Sequence, residues 1–380
     1  MPQQILLPLA EGPTRYTVPD PPAWPRPDGP ARSRTVFAAA HVTARPGEPD
    51  AVDWDATLAF RRHLWSLGLG VADAMDTAQR GAGLDWALTR ELITRTGAEA
   101  AAGGGLLACG AGTDQLTTAA ASLDDVVAAY EEQIDVVEQA GAQVVLMASR
   151  ALAATAGDAE DYARVYGRLL AQTRRPAVLH WLGTAFDPAL EGYWGSTDLD
   201  RATDTVLRII TDNAAKVDGI KVSLLDAGRE VALRRTLPAG VRLYTGDDFH
   251  YPELILGDAQ GFSHALLGAF DPLAAHAAAA LAALDRGDEA GYRAVLEPTV
   301  PLARQVFAAP TRHYKTGVVF LAYLAGHQDH FTMIADAQRH RDVPHLAEVF
   351  RLAGAAGALP DPELATSRMR GFLAAHGVAG

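Results

Sequence analysis

The stretch Val217-Asp218-Gly219-Ile220-Lys221-Val222-Ser223-Leu224-Leu225 is short and aliphatic, and it carries one lysine between apolar neighbours. Its length suits a strand better than a helix, and apolar residues on both sides of Lys221 imply a strand covered on both faces, as in a parallel sheet.

Working outward, runs of the same kind recur at residues 35–43, 70–77, 104–110, 143–149, 176–182, 219–224, 241–245 and 261–267. Segments of helical period separate them, among them 53–67, 198–211 and 123–140, the last with apolar residues at Val126, Val127, Tyr130, Ile134 and Val137. Alternating strands and helices predict a parallel sheet, and a count that closes at eight predicts a (β/α)₈ TIM barrel rather than an open doubly wound sheet. No Gly-x-Gly-x-x-Gly follows the first run, as a dinucleotide-binding sheet would require.

On either side of the barrel the pattern changes. Residues 1–34 hold nine of the 22 prolines, too many for a helix or a central strand, and read as a Pro-rich N-terminal arm. Residues 35–270 form the expected barrel and catalytic domain. Residues 271–380 read as a C-terminal helical region, with helices at 272–286, 289–307, 314–324, 342–355 and 362–376.

Composition narrows the function. The 380 residues are 49% hydrophobic and 21% charged, as in a globular enzyme, and the net charge of −13 disfavours a nucleic-acid partner or an anionic membrane surface. No apolar run approaches the roughly 20 residues of a membrane span. The single cysteine, Cys109, cannot form an internal disulfide, and the first residues lack the pattern of a secretory leader, so a cytoplasmic location is expected.

Only three lysines, Lys216, Lys221 and Lys315, stand among 30 arginines. A GC-rich genome explains the bias, yet it draws attention to a lysine inside a barrel strand. Burial lowers an ammonium's pKa, and the neutral amine so favoured condenses with a carbonyl to give a Schiff base. A lysine ion-paired with Asp247 or Asp248 accounts for the pattern equally well. The third and seventh runs end in Cys109-Gly110-Ala111-Gly112-Thr113-Asp114 and Tyr244-Thr245-Gly246-Asp247-Asp248, where Gly110 and Gly246 allow backbone to approach a ligand and the acids order a loop, cap a helix or bind a cation.

Together the Gly110–Gly112 loop, Ala140-Gly141-Ala142, Gly219-Ile220-Lys221 and Gly246-Asp247-Asp248 resemble, in order and spacing, the dihydrodipicolinate synthase and N-acetylneuraminate lyase superfamily of class I aldolases. The resemblance spans about residues 35–326. It implies a homo-oligomeric barrel, dimer or tetramer, acting on a small-molecule carbonyl substrate without an external cofactor, with Lys221 matching the Schiff-base lysine. It also implies that Gly110, Gly246, Asp247 and Asp248 line the substrate site.

The departures from that pattern are informative. The family's fifth strand ends in a Tyr-Asn-x-Pro segment whose tyrosine shuttles a proton, followed by a carboxylate-binding arginine. Here His180 stands in the tyrosine's place, and the arginine position falls near Ala185. Imidazole transfers protons near neutral pH, which makes His180 the expected acid/base; a hydrogen-bonded core histidine is the alternative. In place of the Gly-Thr-Thr-Gly-Glu loop after the second strand stands Ala74-Met75-Asp76-Thr77-Ala78-Gln79-Arg80-Gly81, in which Thr77 alone fits. The Pro-Tyr-Tyr segment of the fourth strand is replaced by Ser149-Arg150-Ala151-Leu152. Thr77 is therefore expected to act with Lys221 and His180, and Asp76 and Arg150 to bind substrate. With Gln79, Arg80 and Ser149 they form a polar rim that suits a hydroxyl-rich ligand better than bare pyruvate.

The expectation is a Schiff-base aldolase or lyase that makes or breaks a C–C bond in a keto acid or keto-sugar-like substrate. Three alternatives stay open: a dehydratase or hydrolase using the same imine; a metal-dependent barrel isomerase or hydrolase with His180, Asp247, Asp248 and His250 around a divalent ion; and a non-catalytic sugar-binding barrel. A second histidine group, His313, His327, His330, His340 and His345, includes a His-x-x-His spacing, but no metal-binding motif accompanies it, and no metal ligand is assigned.

Overall fold

The computed structural model describes residues 4–24, 27, 29–116 and 122–378; Pro2 and Pro25 of the arm lie outside the described residues. The chain divides into two units, one of residues 34–40 and 70–267, the other of residues 1–33, 41–69 and 268–380.

The first unit holds a closed barrel of eight parallel strands: β1 (Val36–Ala39), β2 (Gly70–Asp73), β3 (Leu107–Ala111), β4 (Gln143–Leu146), β5 (Ala177–Leu182), β6 (Val217–Ser223), β7 (Arg242–Thr245) and β8 (His264–Leu267), with β8 pairing back onto β1. Six strands lie within their sequence runs; β3 extends one residue past its run, to Ala111, and β6 begins two residues before its run, at Val217. The barrel is filled by Phe37, Ala39, Ala72, Ala108, Val145, Val178, Tyr244 and Leu266, all fully buried, with Met75 beside them. Filling both faces of every strand is what makes the runs continuously apolar rather than alternating.

The connecting helices start where polar caps stand in the sequence. Asp85, Ser122, Ser149, Asp158, Asp198 and Asp226 each accept backbone N–H bonds at a helix start, and Ser122 with Asp125 forms a reciprocal capping box. Helix Leu123–Gln139 buries Val126, Val127, Tyr130, Ile134 and Val137, the stripe read from its periodicity.

In the second unit, the proline-rich start is extended but folds on itself: Gln4–Leu9 pairs antiparallel with Gly12–Thr17, with Pro8 opposite Pro13. A two-stranded ribbon has only edges, which is where proline is tolerated. Ile5 and Leu7 are buried, and Tyr16 donates to the Arg351 carbonyl. Helices Ala274–Asp285, Tyr314–Leu324, Val343–Ala356 and Pro362–Ala375 match the sequence reading to within two residues, whereas the expected 289–307 helix is broken. Pro298 and Pro301 lack N–H donors, and a 3₁₀ turn at Glu297–Thr299 separates Glu289–Leu296 from Val300–Val306. Among the described residues no helix is long and apolar enough to cross a membrane.

Candidate active site

Strand β6 places Gly219, Lys221 and Ser223 on one face, since side chains alternate along a strand. Lys221 is paired in register with His180 on β5 and Tyr244 on β7. It is 8% exposed, and burial pulls its ammonium down to about 8, against the opposing pull of the Asp248 and Asp76 carboxylates. At that value roughly a tenth of the amine is neutral at pH 7, compared with about one part in a few thousand for a free lysine.

His180 is 1% exposed. Its Nε2 lies 3.2 Å from Ser223 Oγ, and its Nδ1 has no hydrogen-bond partner among the described residues. Burial and the adjacent Lys221 charge hold the imidazole well below its ordinary pKa, so it is neutral at pH 7. One ring nitrogen is thus held by a hydroxyl, while the other is buried without a hydrogen-bond partner among the described residues.

The β7 loop closes over the lysine. Gly246 donates its N–H to the Val222 carbonyl at 2.8 Å, and a Cβ at this position would stand 2.2 Å from Ser223 Oγ and 2.8 Å from Lys221 Cε. A glycine is needed for this loop to approach the Lys221 side chain so closely. The two acids that follow diverge: Asp247 accepts from the Phe249 and His250 N–H groups and pairs with His250 Nδ1 at 2.9 Å, folding its own loop, whereas Asp248, 3% exposed, acts on Lys221. Behind the loop, buried Glu230 accepts from Thr245 at 2.9 Å and Ser263 at 2.7 Å, and burial pushes its carboxyl up to about 8.

After β2, Asp76 and buried Thr77 sit in the 3₁₀ turn Asp76–Ala78, which continues into Gln79 in the left-handed region. Arg80, expected on the rim, is buried and occupied: its guanidinium bonds the Ala74 and Gly110 carbonyls, Asp114 and Gln133. Gly110 is packed rather than open, because a Cβ there would stand 2.5 Å from Met147 Sδ and 2.6 Å from the Ala74 carbonyl. Arg150, at the start of its helix, is 56% exposed in its side chain and paired with Asp187 at 2.6 Å.

The structure adds polar groups to those the sequence singles out. Ser223 was legible as the second residue beyond Lys221 on the same strand face. Glu230 and the tyrosines were not, since nothing in a helical pattern marks a buried acid or phenol. Thr113 and Ser149 hydroxyls are 2.6 Å apart, the Ser149 N–H donates to Tyr193 Oη, and Tyr193 meets Tyr166 at 2.8 Å.

The C-terminal histidines are dispersed. The His313 ring lies tilted against that of His340, His327 lies against His63 and Phe60, and His345 contacts Gln305. Among the described residues no group of three or more histidines, cysteines or acids is placed to hold a metal ion.

Residues 5–378 match the model of a family described as protein of unknown function (DUF993). No curated protein matches the chain. Its fold is similar to that of dihydrodipicolinate synthase from Thermotoga maritima, with a TM-score of 0.64 and 16% identity over 86% of this chain and 99% of that one. A dihydrodipicolinate synthase variant described as monomeric gives 0.63 and 18% over 86% and 97%, and the enzyme from Bacillus clausii 0.62 and 16% over 85% and 97%. The likeness is one of fold.

Proposed function

This chain belongs to the DUF993 family of proteins of unknown function, and we propose that it is a Schiff-base-forming lyase of the aldolase type in which Lys221 is the nucleophile and His180 the proton carrier. The observation that carries the reading is a buried lysine on a barrel strand, held near pKa 8, in register with a buried neutral histidine whose Nδ1 has no hydrogen-bond partner among the described residues.

The neutral Lys221 amine adds to a ketone or aldehyde carbonyl, and loss of water leaves a protonated imine. His180 removes the proton from the substrate hydroxyl one carbon beyond the α-carbon. That oxygen becomes a carbonyl as the C–C bond breaks, and the electron pair passes through the α-carbon to the iminium nitrogen, forming an enamine. His180, now protonated, returns its proton to the α-carbon, and water hydrolyses the imine to release the second product. Condensation is the same sequence reversed. Ser223 orients the imidazole, and Thr77 lies on the turn that carries Asp76 toward the lysine.

Enamine formation has a signature independent of the natural substrate. In D₂O the enzyme is expected to exchange the α-protons of a small ketone such as dihydroxyacetone, followed by NMR, with exchange lost in both Lys221→Arg and His180→Gln. Exchange that persists in Lys221→Arg would exclude the imine route.

A further inference from the structure

The second unit contains a cavity of about 470 Å³, within the size range of small-molecule sites, and every residue lining it belongs to that unit. Its walls come from residues 21–24 of the N-terminal segment, the end of helix Trp54–Ser66, helix Ala274–Asp285, and residues 325–327 and 357–360. Four nitrogen-bearing rings stand in them: Trp24, His63, His276 and His327. Trp24 meets His276 edge-on, with centroids 5.5 Å apart, and His63 meets His327 at 4.6 Å. Pro21, Pro22, Pro272 and Pro360 add rigid apolar surface. Proline rings and two-torsion aromatic side chains have few conformers to lose, so a ligand pays little to order such walls.

The cavity offers polar atoms but no accessible charge. Among the described residues its lining holds no lysine or arginine, and its one acid, Asp271, has a side chain that is 0% exposed. That carboxylate is turned onto His41, accepting from the backbone N–H at 2.7 Å and pairing with ring Nδ1 at 2.8 Å. Burial holds His327 down to about 3 and His276 below its ordinary value, so both rings are neutral at pH 7. The His276 tautomer is set by its surroundings: Nε2 donates to the Ala356 carbonyl at 2.9 Å, which leaves Nδ1 as an acceptor. In the indole packed against this ring, Trp24 Nε1–H can only donate, and it is buried with no hydrogen-bond partner among the described residues.

A charged ligand would enter this cavity without a counter-ion. An uncharged aromatic one packs against the indole and imidazole rings, and an amide on its edge supplies both an acceptor and a donor. We propose that the cavity is a second ligand site, which takes a small uncharged aromatic compound bearing a carboxamide or lactam edge. Trp24 Nε1 donates to the carbonyl of that edge, and His276 Nδ1 accepts from its N–H.

Benzamide, benzoate and cyclohexanecarboxamide separate the need for neutrality from the need for an aromatic ring. Each is titrated into the full chain near neutral pH, with binding read by calorimetry and saturation-transfer NMR. Benzamide is expected to bind, benzoate to bind about tenfold or more weakly, and cyclohexanecarboxamide about 2- to 10-fold more weakly. Trp24→Phe keeps an aromatic ring but removes the donor, and is expected to weaken benzamide by about 2- to 10-fold. Ala275 lines the cavity from an exposed position of its helix, so Ala275→Trp fills the space without disturbing the core. That variant is expected to keep the wild-type melting temperature and to lose benzamide. No benzamide binding at millimolar concentration, or benzamide binding that survives Ala275→Trp, overturns the site. Benzoate binding as tightly as benzamide overturns the ligand class, and undiminished affinity in Trp24→Phe overturns the assigned donor.

Discussion

Lys221 on β6 and His180 on β5 are register partners across adjacent parallel strands, so the proposed nucleophile and the proposed proton carrier are set at the same level of the barrel by backbone pairing alone. Their charges are coupled as a result. Burial, with the Lys221 charge beside it, keeps the imidazole neutral, and burial keeps a fraction of the lysine neutral, which suits both for a reaction that needs an amine and a base at once.

The pH dependence of imine formation follows from these positions. Reductive labelling of Lys221 is expected to rise with pH through about 8 and level off above it, where the amine is fully neutral, instead of climbing past 10 as for a free lysine. Asp248 stabilises the ammonium, so Asp248→Asn moves the midpoint to lower pH. A midpoint that stays put, or moves up, contradicts the placement of Asp248 against Lys221.

Ser223 is a positioning residue, since its hydroxyl meets His180 Nε2 at 3.2 Å. Ser223→Ala is expected to lower kcat by roughly 10- to 100-fold, a part of the 10²–10⁴ typical of general acid–base catalysis, with KM almost unchanged. A purely structural serine would instead lower thermal stability and leave kcat of the folded fraction alone. Steady-state kinetics with a melting curve separates the two.

Glu230 titrates far from its ordinary range and gives a stability signature. Burial raises its pKa from 4.5 to about 8, so between these values the folded protein retains a proton that the unfolded chain has released. Stability therefore falls as pH rises across this window, and the full penalty is present above 8. Glu230→Gln keeps an amide between Thr245 and Ser263 without a charge to bury. The variant is expected to match the wild type near pH 5 and to exceed it by about 1–4 kcal/mol at pH 8.5 in urea unfolding. Equal stability at both pH values would mean that Glu230 is ionised and solvated.

The barrel was legible because strands covered on both faces leave apolar runs that can be counted, and Lys221 stood out as the charge inside one of them. The fate of the acids was not legible. Asp247 and Asp248 are adjacent in sequence and look equivalent, yet one is spent on the His250 loop and the other acts electrostatically on Lys221. The Asp76 charge reaches Lys221 only in the folded barrel, since 145 positions of chain numbering separate them. Arg80 looked like a ligand-binding cation because its partners Asp114 and Gln133 come from a later loop and helix. The N-terminal hairpin was hidden by the prolines that suggested a plain arm, since proline count reports extension and not pairing.

The central claim is that Lys221 forms the imine, and three lysines in the chain make its location simple to establish. The decisive measurement is peptide mapping of the protein after cyanoborohydride reduction with dihydroxyacetone at pH 8. The predicted result is a single ketone adduct on the peptide containing Lys221, absent from correctly folded Lys221→Arg. An adduct confined to Lys216, Lys315 or the amino terminus, with Lys221 unmodified, would contradict it.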